Sequence, residues 1–163
     1  DQIGSVEGKR VAIVGDISHS RVARSDMWAF KHFGADIVFV GPPTLVPKSF
    51  TQLGCEVSHS LDAVIEDCDI AIMLRVQKER QVNGLYSSVE EYSRLYGMNQ
   101  QRLDKMRGEG LVLHPGPMNR GVEITPEVAD SSRSVVLQQV ANGVAIRMAA
   151  LKLTADVQKE MKA

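Results

Sequence analysis

Five short apolar runs, separated by helical or polar stretches, decide what this chain can fold into. They are "RVAIV", "ADIVFV", "CEVS", "DIAIML" and "LVL", the third being the weakest. Short β-branched runs alternating with helical patterns imply a mostly parallel sheet covered on both faces. Between the first two, "SRVARSDMWAFKHFG" places Val22, Trp28, Ala29 and Phe33 near helical spacing and stops at Gly34. "LDAVIEDC" reads as a short helix, a second lies near Ser88–Leu95, and "NQQRLDKMRGEG" reads as a third, with Asn99 as N-cap and Gly108 as its stop. A long helix from about Ser134 to Lys159 carries Leu137, Val140, Val144, Met148 and Leu151 along one stripe. Right-handed crossovers make 3-2-1-4-5 the simplest strand order. The expected fold is therefore a three-layer, doubly wound α/β sheet of Rossmann-like type with a long C-terminal helix. Trp28, Phe30 and Phe33 read as core and helix packing.

The chain has 163 residues, which suits one domain with one substantial core. Its formal net charge of −1 makes nucleic acid a poor partner. Cys55 and Cys68 form no metal-ligand spacing with the four histidines, so both read as reduced core thiols of a cytoplasmic protein, with no metal and no cofactor. No apolar run approaches the roughly 20 residues that span a bilayer, and no signal peptide is evident. The amino end lacks an initiator Met and enters a strand almost at once, as a fragment or processed chain would.

In an open α/β sheet, ligands bind beyond the carboxyl ends of the strands at the switch point, here between the first and fourth. Strand one ends in "GDISHSRVARS", strand four in "RVQKER" and strand five in "HPGPMNRG". These segments bring Arg21, Arg24, Arg75, Gln77, Lys78, Arg80 and His114 towards one crevice, and the helix starting near Ser20 offers free N–H groups to an anion. Any one of those arginines could simply be solvated or paired. Their convergence favours an anion site. Gly116–Pro117 is a candidate cis peptide, His114 fits a hydrogen-bonded core histidine as readily as a base, and Glu90–Glu91 reads as a solvated helix face. A dinucleotide is disfavoured. "VGDISHSR" has one glycine where the fingerprint needs three, and Gly41-Pro42-Pro43 stands where an acidic residue belongs. An oxidoreductase domain is disfavoured on the same ground.

"GDISHSRVARS", "PPTLVP", "MLRVQKER", "EYSRLYG", "LHPGPMNRGVEI" and "VADSSRSVVLQQVANGVAIRMA" together resemble the aspartate-binding half of bacterial aspartate carbamoyltransferases, across nearly the whole chain. Ornithine-specific relatives differ in the strand-four segment and carry "HCLP" in place of "HPGP". The resemblance implies an aspartate-binding domain over residues 1–163, from which the amino-terminal carbamoyl-phosphate domain is absent. It implies that Arg21 holds the α-carboxylate of L-aspartate and that Arg75 clamps the side-chain carboxylate, with Gln77 beside it. Pro115 and Gly116 would offer carbonyls to the amino and carbamoyl nitrogens. Arg80 would pair across the domain interface on closure, and "QVNGLYSSVEEYS" would be a mobile lid. "SSRS" at 131–134 is not the family's phosphate-binding "STRT", so no catalytic group is assigned to this chain. The implied partners are L-aspartate, a carbamoyl-phosphate domain and two further copies in a homotrimer. The alternative is a non-catalytic carbamoyltransferase-like subunit or scaffold. The resemblance also places the final helix against the absent domain, so its apolar stripe is expected to drive self-association of the isolated chain.

Overall fold

The computed structural model of the protein describes residues 2–76 and 88–160. Five parallel strands, β1 (Arg10–Val14), β2 (Asp36–Val40), β3 (Glu56–Ser58), β4 (Ile70–Met73) and β5 (Leu111–Leu113), form one sheet in the order β3-β2-β1-β4-β5, as the sequence implies. β1 is central. Val14 lies beside Val40 of β2 and Met73 of β4, while Ile72 lies beside Leu113 of β5. All strands therefore deliver their exits to one edge.

The core has two halves because strand side chains alternate between the two sheet faces. On one face Ala12, Val14, Ala71 and Met73 pack with Tyr92, Leu103 and Val128. On the other, Val11, Ile13, Phe39 and Ile72 pack with Ala23 and Met27. Those last two come from α1 (Arg21–His32), and the first group draws on α2 (Val89–Tyr96), α3 (Gln100–Lys105) and α4 (Pro126–Ala129). Ser20, Ser88 and Asn99 each accept a hydrogen bond from a backbone N–H in the first turn of the helix that follows.

Several expectations need correction. Residues 61–68 form only a short 3₁₀ turn, Ile65–Asp67, and α3 ends at Lys105, well before Gly108. A 3₁₀ turn at Lys48–Leu53 and the four-residue α4 carry too little periodicity to be read from sequence. Trp28 and Phe33 are not core residues, since each is 63% exposed. α1 turns Ala23, Met27 and the partly buried Phe30 to the sheet, an i, i+4, i+7 arc that leaves Trp28 and Phe33 outside it.

The last helix, α5 (Val136–Glu160), touches the body of the fold near its start, where Val136 is buried. Beyond that the anticipated stripe is uncovered: Leu137, Val140, Val144, Met148 and Leu151 are all at least 55% exposed. Ile146, Leu153 and Val157 are exposed too, and at 3.6 residues per turn they lie roughly opposite that stripe. Both cysteines are free and buried, and burial pushes the Cys68 thiol up to about 11. Among the described residues no helix is long and apolar enough to cross a membrane.

Candidate functional site

β1 closes on Gly15, whose φ of +131° suits glycine alone. A Cβ there would lie 3.0 Å from Leu74 Cβ and 3.1 Å from the Tyr92 hydroxyl, so glycine lets the exits of β1 and β4 approach closely. The chain then runs through Asp16 and His19 into α1. Asp16 Oδ1 accepts from the His19 backbone N–H at 3.1 Å and lies 2.8 Å from His19 Nδ1. Ser20 Oγ accepts from Ala23 N–H at 3.0 Å. The first turn of α1 holds no acidic residue, so its N-terminal partial positive charge is not neutralised from within, and Arg21 is its first residue.

Opposite, Leu74 N–H donates to Val14 O at 2.9 Å, and Arg75 leaves the sheet immediately afterwards. β5 exits through His114 into Pro115 and Gly116, and the Gly116–Pro117 peptide is cis. Arg21, Arg75, Pro115 and Gly116 line one cavity of about 380 Å³, together with Asp16 and His19. A larger cavity of about 490 Å³, between residues 2–6 and the start of α5, has no charged side chain in its wall. The smaller one carries the chemistry. Among the described residues neither Arg21 nor Arg75 has an acidic partner within the 4.0 Å of an ion pair. Two guanidinium forks with no ion-pair partner among the described residues, set around one cavity, suit a ligand bearing two carboxylates.

Residues 7–154 match the family described as "Aspartate/ornithine carbamoyltransferase, Asp/Orn binding domain". The chain belongs to this carbamoyltransferase family. It is 51% identical to the aspartate carbamoyltransferase catalytic subunit of Halothermothrix orenii over 155 residues, which is 95% of this chain and 50% of that protein. The same-named subunit of Acidothermus cellulolyticus is 54% identical over 151 residues, 93% of this chain and 47% of its own length. Among solved structures, the catalytic subunit of M. jannaschii aspartate transcarbamoylase superimposes with a TM-score of 0.74 at 28% identity, over 93% of this chain and 51% of that one. Ornithine carbamoyltransferase from Pyrococcus furiosus gives 0.70 at 26%, over 86% and 48%. The chain thus spans about half the length of the curated relatives it matches.

Of the residues singled out by this carbamoyltransferase resemblance, Arg21, Arg75, Pro115 and Gly116 come together around the cavity. Gln77 and Arg80 lie outside the described residues, as do Lys78 and most of the anticipated lid. Arg24 does not reach the cavity wall. Its guanidinium donates to Ser18 O at 3.0 Å, closing the turn ahead of α1. His114 is fully buried and hydrogen-bonded, which favours the core reading of that residue over a solvent-facing base.

Glu123, equally buried, escaped sequence reasoning. Its Oε1 lies 3.0 Å from His114 Nε2 and accepts from Asn119 N–H at 2.6 Å. The available signal was an acidic residue wedged between Val122 and Ile124, where a solvated loop would not place two apolar neighbours. Among the described residues no group of three or more His, Cys, Asp or Glu is placed to hold a metal ion.

Proposed function

We propose that this chain is the aspartate-binding half of an aspartate carbamoyltransferase, which joins carbamoyl phosphate and L-aspartate into N-carbamoyl-L-aspartate and phosphate, a step of pyrimidine synthesis. The observation that carries this reading is the pair Arg21 and Arg75, unpaired among the described residues and set on two walls of one cavity. The approximately 50% identity to proteins named for this reaction supports it. Arg21, at the start of α1, takes the α-carboxylate, and Arg75 takes the side-chain carboxylate with Gln77 beside it. The carbonyls of Pro115 and Gly116 orient the nitrogen nucleophile.

The amine of aspartate attacks the carbamoyl carbon. A C–N bond forms, the bond to the phosphate oxygen breaks, and the amine proton leaves with the phosphate. Such a transfer needs placement and charge stabilisation more than covalent help. This half supplies the placement of aspartate. The phosphate-binding half comes from a further domain, which Arg80 engages on closure, and the intact enzyme is a cytoplasmic homotrimer in this reading.

The test is a carbamoyltransferase assay on the chain alone and mixed with a separately prepared carbamoyl-phosphate domain. Turnover only on mixing is the expected result. Turnover by the chain alone would overturn the half-site reading, and failure of L-aspartate or succinate to bind the chain in the presence of the partner domain would overturn the aspartate assignment.

A further inference from the structure

The contacts of His114 and Glu123 are unusual in where they end. Gly116 N–H donates to His114 Nδ1 at 2.8 Å. A backbone N–H can only donate, so Nδ1 must be the accepting nitrogen and the ring proton must sit on Nε2. That proton faces Glu123 Oε1 at 3.0 Å. The same carboxylate accepts from Asn119 through its backbone N–H at 2.6 Å and its side-chain amide at 3.3 Å. The Asn119 amide also donates to Val76 O at 3.0 Å, one residue beyond Arg75. A continuous path of hydrogen bonds thus runs from the Gly116 backbone to the exit of β4, and two of its three interior members, His114 and Glu123, are fully buried.

No neighbouring atom packs where a side chain at Gly116 would stand. A Cβ built there would meet nothing within 4 Å, and its φ is +67°. What fixes the Gly116 amide plane is its bond to Nδ1. A peptide plane also sets the direction of the carbonyl before it, here that of Pro115. Burying a carboxylate costs several kcal/mol unless its oxygens are well bonded, and here those bonds join His114, which carries the Gly116 wall, to Asn119, whose amide reaches the residue after Arg75.

We propose that His114 and Glu123 are positioning residues which fix the Pro115–Gly116 wall and lock it in register with the Arg75 wall. What the cavity holds rests on the function proposed above; the coupling of its walls does not. His114 touches no reacting atom in this role. It acts through the peptide plane of Gly116, and Glu123 acts through His114 and Asn119.

The test uses the isotope-labelled full chain and three variants. Glu123→Gln keeps the shape but presents an amide N–H₂ where Asn119 already donates. His114→Asn puts a carbonyl oxygen near the place of Nδ1, and His114→Gln puts an amide nitrogen near the place of Nε2. In the parent chain, imidazole nitrogen shifts are expected to report the Nε2–H tautomer. Glu123→Gln is expected to move the Gly116 amide and Arg75 Nε resonances together and to weaken succinate binding roughly tenfold or more, as small misplacements of binding groups do. His114→Asn, which retains an acceptor for Gly116, should stay nearer the parent in both readouts than His114→Gln.

An Nδ1–H tautomer would overturn the proposal. So would folded variants whose Arg75 and Gly116 resonances stay in place while only their melting temperatures fall, the mark of a merely structural pair. If the parent chain fails to bind succinate even with the partner domain present, the dicarboxylate reading fails, and the wall coupling is still decided by the Gly116 and Arg75 resonances.

Discussion

Both edges of the sheet carry cations and treat them in opposite ways. At the edge where the strands begin, Lys9 pairs with Asp69 at 3.3 Å, Arg10 with Glu56, Lys105 with Glu66 at 3.0 Å and Arg107 with Asp67 at 3.4 Å. At the edge where they end, Arg21 and Arg75 face a cavity and find no carboxylate among the described residues. Asp16, the one acidic side chain in that cavity's wall, is turned to His19. An arginine at the edge of the sheet is not by itself a sign of function, because the first edge is basic too. The sign is charge left without a partner beside a space of ligand size.

This contrast can be broken most directly at the unpaired edge. Arg75→Ala, and separately Arg21→Ala, should each remove about 2–5 kcal/mol of dicarboxylate binding, the scale of losing one member of a desolvated charge pair. Both should leave the melting temperature nearly unchanged. Calorimetric titration with succinate beside a thermal melt reads both, and a variant that loses stability but keeps its ligand would mean that the arginine is structural.

A paired cation should behave in reverse. Arg102, 5% exposed, reaches Asp62 through Nε at 2.7 Å and through a terminal nitrogen at 2.8 Å. The same guanidinium donates to the carbonyls of Arg94, Leu95 and Gly97 at the end of α2. Arg102→Ala strands those acceptors and should cost about 3 kcal/mol of stability. The hydrogen bond from Arg102 holds the Asp62 carboxyl below its ordinary range. The stability this confers is present above the unfolded value of about 3.9 and is lost as pH falls through the lower folded value. In Arg102→Ala that part of the acid transition should disappear from urea titrations run at falling pH.

Asp26 on α1 sharpens the comparison from the other sign of charge. Burial alone raises its carboxyl to about 6. The folded state therefore binds the proton more tightly than the unfolded one, and stability grows as pH falls from above 6 towards the unfolded value near about 4. Asp26→Asn should be more stable than the parent at neutral pH, with the gap closing on acidification. Parallel melts across that range check the sign. The smallest effect belongs to the exposed pair Lys105–Glu66, where Lys105→Ala should change stability by no more than about 1 kcal/mol and leave ligand binding intact.

The strand order was legible because apolar runs and right-handed crossovers leave few topologies, and the cavity residues were legible because they follow strands one, four and five. Pairing was not. Whether Arg21 has no carboxylate partner among the described residues and Arg10 has one depends on which carboxylates the fold brings near, and Glu56 is 46 residues from Arg10 along the chain. The His114–Glu123 contact was hidden for a related reason, since it closes across an irregular turn whose path no periodicity describes. Trp28 and Phe33 misled because hydrophobicity was read without the narrow arc that α1 turns to the sheet.

α5 has a valence of two. A single apolar stripe can be satisfied by one surface, and a twofold pair of helices would hide it completely. Stripes on opposite sides, Leu137 to Leu151 on one and Ile146 to Val157 on the other, ask for a surface on each flank. Pairing through one flank leaves the second wet and able to recruit again, so growth of such contacts has no built-in stop. Self-association through α5 is the expected outcome in sedimentation, and Leu151→Lys is expected to slow it without ending it. A second lysine at Leu153, on the other flank, should be needed to hold it as a monomer.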